Sequence, residues 1–441
     1  MNRRDFLLNG AGAMFLASAG RVLGAGAPSN RVRLAFAGCH ENGRGISLLK
    51  STMMIPGVEI AYVCDVDSRA MDFAADLVEK ATQFKPRKEA DLRKIVEDPL
   101  IDGVILETPD HWHAYGAVLA MNAGKAVYVE KPCAFCPSEC EVLINVQRKT
   151  GTVFQMGNQR RASLSYKEAI EFVRNENTIG ELKWAKCWYT ANRASIGKGK
   201  VVNVPSWLNW DLWQGPAPRR AFRDNVVHYK WHWFRHWGTA ETGNNAPHFA
   251  DAARWALGVD YPEIVQTIAQ TTSPRDDDYE WPDTYNSSFK YPNNKMITFE
   301  LTSRVNGNPY MGVSTGAMIY GERGSLFFTP GDTAILFNEK SKKIKEWKAG
   351  GSTQEGSLTN PTSALDMRHM TKFVECIRAK NTCTNSPVEE AVKSTLLPLL
   401  ANIAADTGES IRLDPKTGKL LTKVEEKYWS REYEKGWDLM V

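Results

Sequence analysis

The sequence predicts an α/β protein in two parts: a doubly wound parallel sheet, then an α+β domain with a large, mostly antiparallel open sheet. Three observations carry this. Between Arg31 and Met156, short apolar runs alternate with helical periods, the pattern of a parallel sheet covered on both faces. After Gly157 the runs lengthen, alternate in polarity and follow one another without intervening helices. A chain of 441 residues is also long enough to bury two cores. The expected divisions are 1–29, 30–156 and 157–441.

Residues 1–29 stand apart. Asn2-Arg3-Arg4-Asp5-Phe6-Leu7-Leu8 precedes a Gly/Ala-rich apolar run to Ala19, the pattern of a twin-arginine export signal with cleavage after Ala19 or Ala25. A periplasmic or other extracytoplasmic location is expected. No later run is long enough to span a bilayer, so no transmembrane segment is expected after signal removal. A net charge of +4 is too small and too dispersed to argue for nucleic acid.

Arg31–Ala37 is the first strand and runs into Gly38-Cys39-His40-Glu41-Asn42-Gly43-Arg44-Gly45. Strand, glycine turn and helix start form a dinucleotide-binding arrangement, in which helix N-terminal amides hold a pyrophosphate. Gly38 and Gly43 take the first and third glycine places. His40 stands at the second, so the loop should be wider or the cofactor should sit differently. Val58–Asp67 is the second strand. Asp65 at its end is placed to bind the adenosine ribose and repel a 2′-phosphate, which favours NAD over NADP. Arg44 and Arg69 keep NADP open as the second choice. Asp67 or Ser68 caps a helix to about Ala81, and Lys88–Glu97 is another short helix.

Ile101–Pro132 is the centre of the first part. Gly103–Glu107 is a buried strand, broken by Thr108, Pro109 and Asp110. His113–Asn122 is a helix stopped by Gly124. Lys125–Val129 is a second strand, ending in Glu130, Lys131 and Pro132. Ligands of open parallel sheets bind outside the carboxyl ends of the strands. Thr108, Pro109, His111, His113, Glu130 and Lys131 should therefore line one crevice. Pro137 starts a further helix, Gly151 ends it, and Thr152–Met156 is the last strand. Cys133, Cys136 and Cys140 lack a fourth ligand at a familiar spacing and read as packed thiols, so no metal site is expected.

The stretches TPDHWH and AGKAVYVEKP resemble the Gfo/Idh/MocA family of nicotinamide-dependent sugar oxidoreductases. The resemblance runs from about Arg31 to Asp414. It implies a Rossmann domain for NAD, a second domain whose sheet face covers the nicotinamide, and a homo-oligomer. Gly243–Asp251 resembles the family's second catalytic segment, a Gly-rich turn leading to Asp-x-x-x-His. His248 matches the His. Asn244 takes the Asp place, where it can orient a hydroxyl but cannot accept a proton or carry charge. The implied reaction is hydride transfer between NAD and a hydroxyl carbon of a sugar, glycoside or polyol. His248 would serve as base, and Lys131 would stabilise negative charge on the same oxygen. Two alternatives stay open. One is a glycosidase or lyase working through transient oxidation by tightly held NAD. The other is a carbohydrate-binding protein that lost catalysis, to which Asn244 and His40 point.

In the second part, Leu164–Asn177 is an amphipathic helix. Strands are expected at Leu182–Thr190, Glu263–Thr271, Tyr285–Tyr291, Lys295–Leu301, Gly312–Tyr320 and Leu326–Phe328. Leu365–Lys380 and Pro387–Ala405 are the closing helices, and Gly350–Ser357 reads as a mobile loop. Nine of the fourteen tryptophans fall between Trp184 and Trp255. The Pro-rich stretch PSWLNWDLWQGPAP reads as an irregular loop. Aromatic rings with polar edges suit sugar faces, so Trp210, Trp213, Trp237 and His232 are the expected substrate contacts.

Overall fold

The computed structural model describes residues 31–349 and 364–439. The expected export signal and the Gly350–Ser357 loop lie outside the described residues.

The first sheet has the strand order β3-β2-β1-β4-β5-β6. Its strands are β1 (Val32–Ala37), β2 (Val58–Cys64), β3 (Arg87–Lys88), β4 (Gly103–Leu106), β5 (Ala126–Val129) and β6 (Phe154–Met156). Each pairing is parallel. Strands β4 and β5 are buried along their full length, as their unbroken apolar sequences require. Helices α1 (Arg44–Met53), α2 (Ser68–Thr82), α3 (Leu92–Val96), α4 (Asp110–Asn122) and α5 (Pro137–Thr150) connect them. Their ends follow local chemistry. Asp67 caps α2 by accepting from the Arg69 amide, and Pro137 starts α5. Gly38 has φ +93°, and a Cβ there would lie 2.3 Å from the Glu107 carbonyl oxygen. Only glycine lets the β1 turn pass this close to the end of β4.

The second sheet has nine strands in the order β14-β13-β12-β11-β7-β10-β9-β8-β15. They are β7 (Leu182–Thr190), β8 (Ile264–Gln270), β9 (Thr284–Tyr291), β10 (Lys295–Thr302), β11 (Thr315–Gly321), β12 (Gly324–Phe328), β13 (Thr333–Asn338), β14 (Lys343–Lys348) and β15 (Ile411–Arg412). All neighbours are antiparallel except β7 and β10. Helix α6 (Leu164–Asn175) packs on the β13 and β14 side, and α7 (Trp210–Gln214) follows β7. Helix α8 (Ala240–Leu257) packs on β7, β10 and β11. It also packs against α10 (Val388–Thr407), which reaches β8.

Two C-terminal segments return to the first sheet. Helix α9 (Ala364–Ala379) puts Met370, Phe373 and Val374 into the core that holds Leu34, Phe36 and Ile105. The last residues run past α4 and α5. There Arg431 pairs with Glu139 at 2.7 Å and Trp437 packs edge-on to Trp112. Among the described residues no helix is long and apolar enough to cross a membrane.

Candidate active site

A cavity of about 420 Å³ lies outside the carboxyl ends of β1, β2, β4 and β5. Its wall joins the β1 turn and the ends of β4 and β5 to His228, Tyr229, Trp231, His232 and α8. Gly38, His40, Gly43, Arg44, Asp65, Thr108, Pro109, His113, Glu130 and Lys131 all line it.

The cofactor side is built by the β1 turn. Gly43 caps α1 with no side-chain bond, and no acidic residue stands in the first turn. The Gly43 amide donates to the His40 carbonyl at 2.8 Å, and the first-turn amides that follow it suit an anion. Thr108 Oγ1 and both Glu107 carboxyl oxygens are buried with no hydrogen-bond partner among the described residues. Asp65 sits at the β2 end, where its carboxylate accepts from the Cys39 amide at 2.6 Å and the Asp67 amide at 2.9 Å. A carboxylate has about four acceptor sites, so it keeps capacity for a ribose hydroxyl. An uncapped helix start, unpartnered polar atoms and a strand-end carboxylate together fit a dinucleotide. Arg44 has a further role. Its guanidinium grips Asp366 of α9 at 2.7 and 2.6 Å and approaches Glu130 at 3.4 Å, tying α9 to the phosphate turn.

The reactive side joins both domains. Lys131, followed by a cis bond to Pro132, donates from Nζ to the Asn244 carbonyl at 2.6 Å and to Asn244 Oδ1 at 3.1 Å. The expected Gly-rich turn before His248 is instead helix: α8 begins at Ala240 and contains Gly243, Asn244, Pro247 and His248. Asn244 and His248 are four residues apart and so share one face. Tertiary packing overrides the poor helix propensity of Gly-Asn-Asn-Ala-Pro. His248 Nδ1 is buried without a partner among the described residues, and the ring lines the cavity. Burial, then the Lys131 charge, holds His248 well below the ordinary histidine value. Burial also lowers Lys131, against the opposing pull of Glu130 and Asp110. His113 holds the Lys131 segment in place, with Nδ1 2.6 Å from the Pro132 carbonyl and Nε2 2.7 Å from the Thr108 carbonyl.

Other expected residues lie elsewhere. His111 does not line the cavity. It is fully buried between Trp213 and Trp237, with its nitrogens 3.0 and 3.3 Å from their carbonyls, and burial lowers it to about 3. Trp210 and Trp237 do not line this cavity. They are 8% and 3% exposed and pack against Trp213, with ring centroids 4.7 and 5.0 Å away. Trp210–Gln214 is helix α7 rather than an irregular loop, because Asn209 caps it and its tryptophans bury on one another. Trp213 and His232 do reach the cavity. His232 stacks on Trp231 at 3.6 Å, and burial lowers it to about 3. Tyr229, Trp231 and Gln159 also line the wall and escaped the sequence reading. A 3-10 turn at Lys230–Trp233, rather than any periodicity, aims the two aromatic residues. Among the described residues no cluster of ligating side chains could hold a metal ion.

The fold and site define a two-domain dinucleotide-binding oxidoreductase. Two family models match: "Oxidoreductase family, NAD-binding Rossmann fold" over residues 32–158 and "GFO/IDH/MocA C-terminal domain" over residues 199–327. The chain belongs to the Gfo/Idh/MocA oxidoreductase family, and its cofactor is NAD. An alpha-N-acetylgalactosaminidase of Shewanella oneidensis is 33% identical over 134 residues, 29% of each chain. The match thus spans under a third of that relative's length, and under half of the length of a glycosyl hydrolase family 109 protein of Stenotrophomonas maltophilia. Levoglucosan dehydrogenase, solved with NADH and levoglucosan, superposes with a TM-score of 0.64 at 16% identity over 87% of this chain and 99% of that one. Aldose-aldose oxidoreductase from Caulobacter crescentus, complexed with glycerol, gives 0.65 at 15% identity over 87% and 100%.

Proposed function

We propose that the chain oxidises a hydroxyl carbon of a sugar, glycoside or polyol. The observation that carries this reading is the meeting of Lys131, Asn244 and His248 on the cavity that the phosphate turn and Asp65 also line. Bound NAD supplies the hydride acceptor. His248 is neutral and its unpartnered nitrogen takes the hydroxyl proton. Lys131 donates to the same oxygen and stabilises its negative charge. Asn244 fixes the direction of Lys131. Tyr229, Trp231 and His232 form the aromatic wall against which a sugar face packs. Single-turnover reduction of bound NAD, followed by absorbance across sugars, glycosides and polyols, tests this. Absence of reduction by every compound, with NAD bound, counts against it.

A second reading is favoured by the glycosidase relative: oxidation is transient and the product is a cleaved glycoside. Product chromatography with an N-acetylgalactosaminide, in the absence of added NAD, separates the two. Repeated cleavage with no net reduction supports the second. The Arg3-Arg4 segment supports export by the twin-arginine route. Replacing both arginines with lysine should keep the protein in the cytoplasmic fraction, and unchanged fractionation would remove that proposal. A homo-oligomer is proposed as well, and sedimentation tests it.

A further inference from the structure

The second domain reaches over the adenosine end of the cavity through one stack of side chains. Arg69 lies 3.6 Å above the ring of Trp207. Trp207 stacks on His228, with ring centroids 5.7 Å apart, and His228 stacks on His40 at 4.1 Å. His40 is the residue that replaces the second glycine of the phosphate turn. Buried Asp67 pins the stack at its far end, pairing with Arg69 at 2.8 Å and lying 3.0 Å from His228 Nε2. Backbone bonds seal the same seam. The Ser68 amide donates to the Trp207 carbonyl at 2.9 Å, and the Asn209 amide donates to the Val66 carbonyl at 2.8 Å. His40, Asp65, Val66 and His228 all line the cavity, so the seam stands directly over the β2 end where an adenosine ribose would bind.

We propose that this seam is a latch, with Trp207 and His228 as its bolt, that holds NAD in place between turnovers. The inference rests on the reading of the cavity as an NAD site. A bare Rossmann turn leaves the adenosine end open along the sheet edge. Here the cofactor must part four stacked groups and two backbone hydrogen bonds before it leaves. The second glycine is dispensable because His40 serves as the strike plate for His228. The consequence is a cofactor that stays with the chain and is re-oxidised or re-reduced in place.

The test is exchange of bound NAD labelled in the adenine ring against excess unlabelled NAD. Wild type should exchange slowly. Trp207→Ala and His228→Ala should exchange about two- to tenfold faster, the factor that loss of one ring stack corresponds to. Trp207→Phe, which keeps a ring, should stay near wild type. Equal exchange in all four proteins overturns the latch. A second measurement needs no variant: hydrogen exchange of wild-type residues 204–212 with and without NADH. Added protection when NADH is bound supports the latch, and no change overturns it. Wild type that takes up no NAD at millimolar concentration overturns the cofactor reading itself, a different outcome from rapid exchange.

Discussion

Lys131 and Asn244 are joined across the two domains by two hydrogen bonds, 2.6 Å to the carbonyl and 3.1 Å to Oδ1. The other end of the Asn244 amide donates to Glu241 Oε1 at 3.2 Å. Glu241 is fully buried and held by Arg193 at 2.9 and 3.0 Å. The amide is thus read from both sides, by a cation at its oxygen and a carboxylate at its nitrogen. This gives a physical reason for Asn at that place: the neighbouring carboxylate needs a donor, which Asp lacks when ionised.

Asn244→Asp should therefore impair the enzyme. It sets a second carboxylate against Glu241 and removes one of its donors, leaving those from Arg193 and Asn245. The penalty should shrink toward pH 4, where the new carboxyl takes up a proton, and grow as pH rises. Melting temperature against pH checks it. A variant as stable and active as wild type at pH 8 would show that Glu241 does not constrain the position.

Lys131→Met and His248→Ala should each slow single-turnover reduction of bound NAD by about 100- to 10,000-fold while leaving the cofactor in place. The double variant should be little worse than the worse single, because both act on one oxygen. Wild-type-like reduction in both singles would sink the mechanism.

The pH profile of the same step follows from the two shifts. His248 is held well below its ordinary value, so it is already deprotonated at neutral pH and its acid limb lies below the ordinary histidine range. Lys131 is also lowered, so the rate falls on the alkaline side earlier than an ordinary lysine would give, as the ammonium is lost. A plateau through neutral pH is expected between the two limbs. An acid limb centred near 6.5 would mean that His248 is not the base.

Much of this was legible in sequence. Strand ends at Glu107 and Glu130, and the turn at Gly38, follow from apolar runs broken by Gly, Pro and charge, which are local signals. Lys131 and His248 were singled out by the family resemblance rather than by any local pattern. The role of the tryptophans was not. Trp210 and Trp237 bury against each other although 27 positions separate them, and no periodicity reports such a contact. The helical state of Gly243–His248 was hidden for the same reason: α8 is held by the sheet and α10, against its own propensity. Glu241 and Arg193, which explain Asn244, share no pattern along the chain.

Burial of the tryptophans turns one expectation round. Trp210→Ala should cost about 3–5 kcal/mol of stability, as a large core ring does, rather than act on the Michaelis constant alone. Trp231→Ala, equally buried but at the cavity wall, should lower stability and also raise the Michaelis constant for the sugar. Thermal melts and steady-state kinetics of the two variants side by side decide it. A stable Trp210→Ala with weakened substrate binding would return that ring to the site.

Glu107 yields the last prediction. Its carboxyl oxygens are buried without partners among the described residues, and its Cβ lies 3.1 and 3.2 Å from where Cβ atoms on Gly38 and Gly45 would stand. Burial, then the charge of Glu130, raises it well above the ordinary glutamate value. The folded protein therefore binds this proton more tightly than the unfolded chain does. The favourable contribution is fully present below the unfolded value of about 4.3, and is lost as pH climbs toward the raised folded value. Glu107→Gln keeps the shape of the neutral acid and cannot ionise in either state. Its melting temperature should match wild type near pH 4 and exceed it increasingly at neutral and alkaline pH. The wild-type slope should flatten once the folded carboxyl ionises. A variant that is less stable than wild type at pH 8 would mean that Glu107 is an ionised, compensated carboxylate. Parallel curves across the range would mean that its proton is not linked to folding.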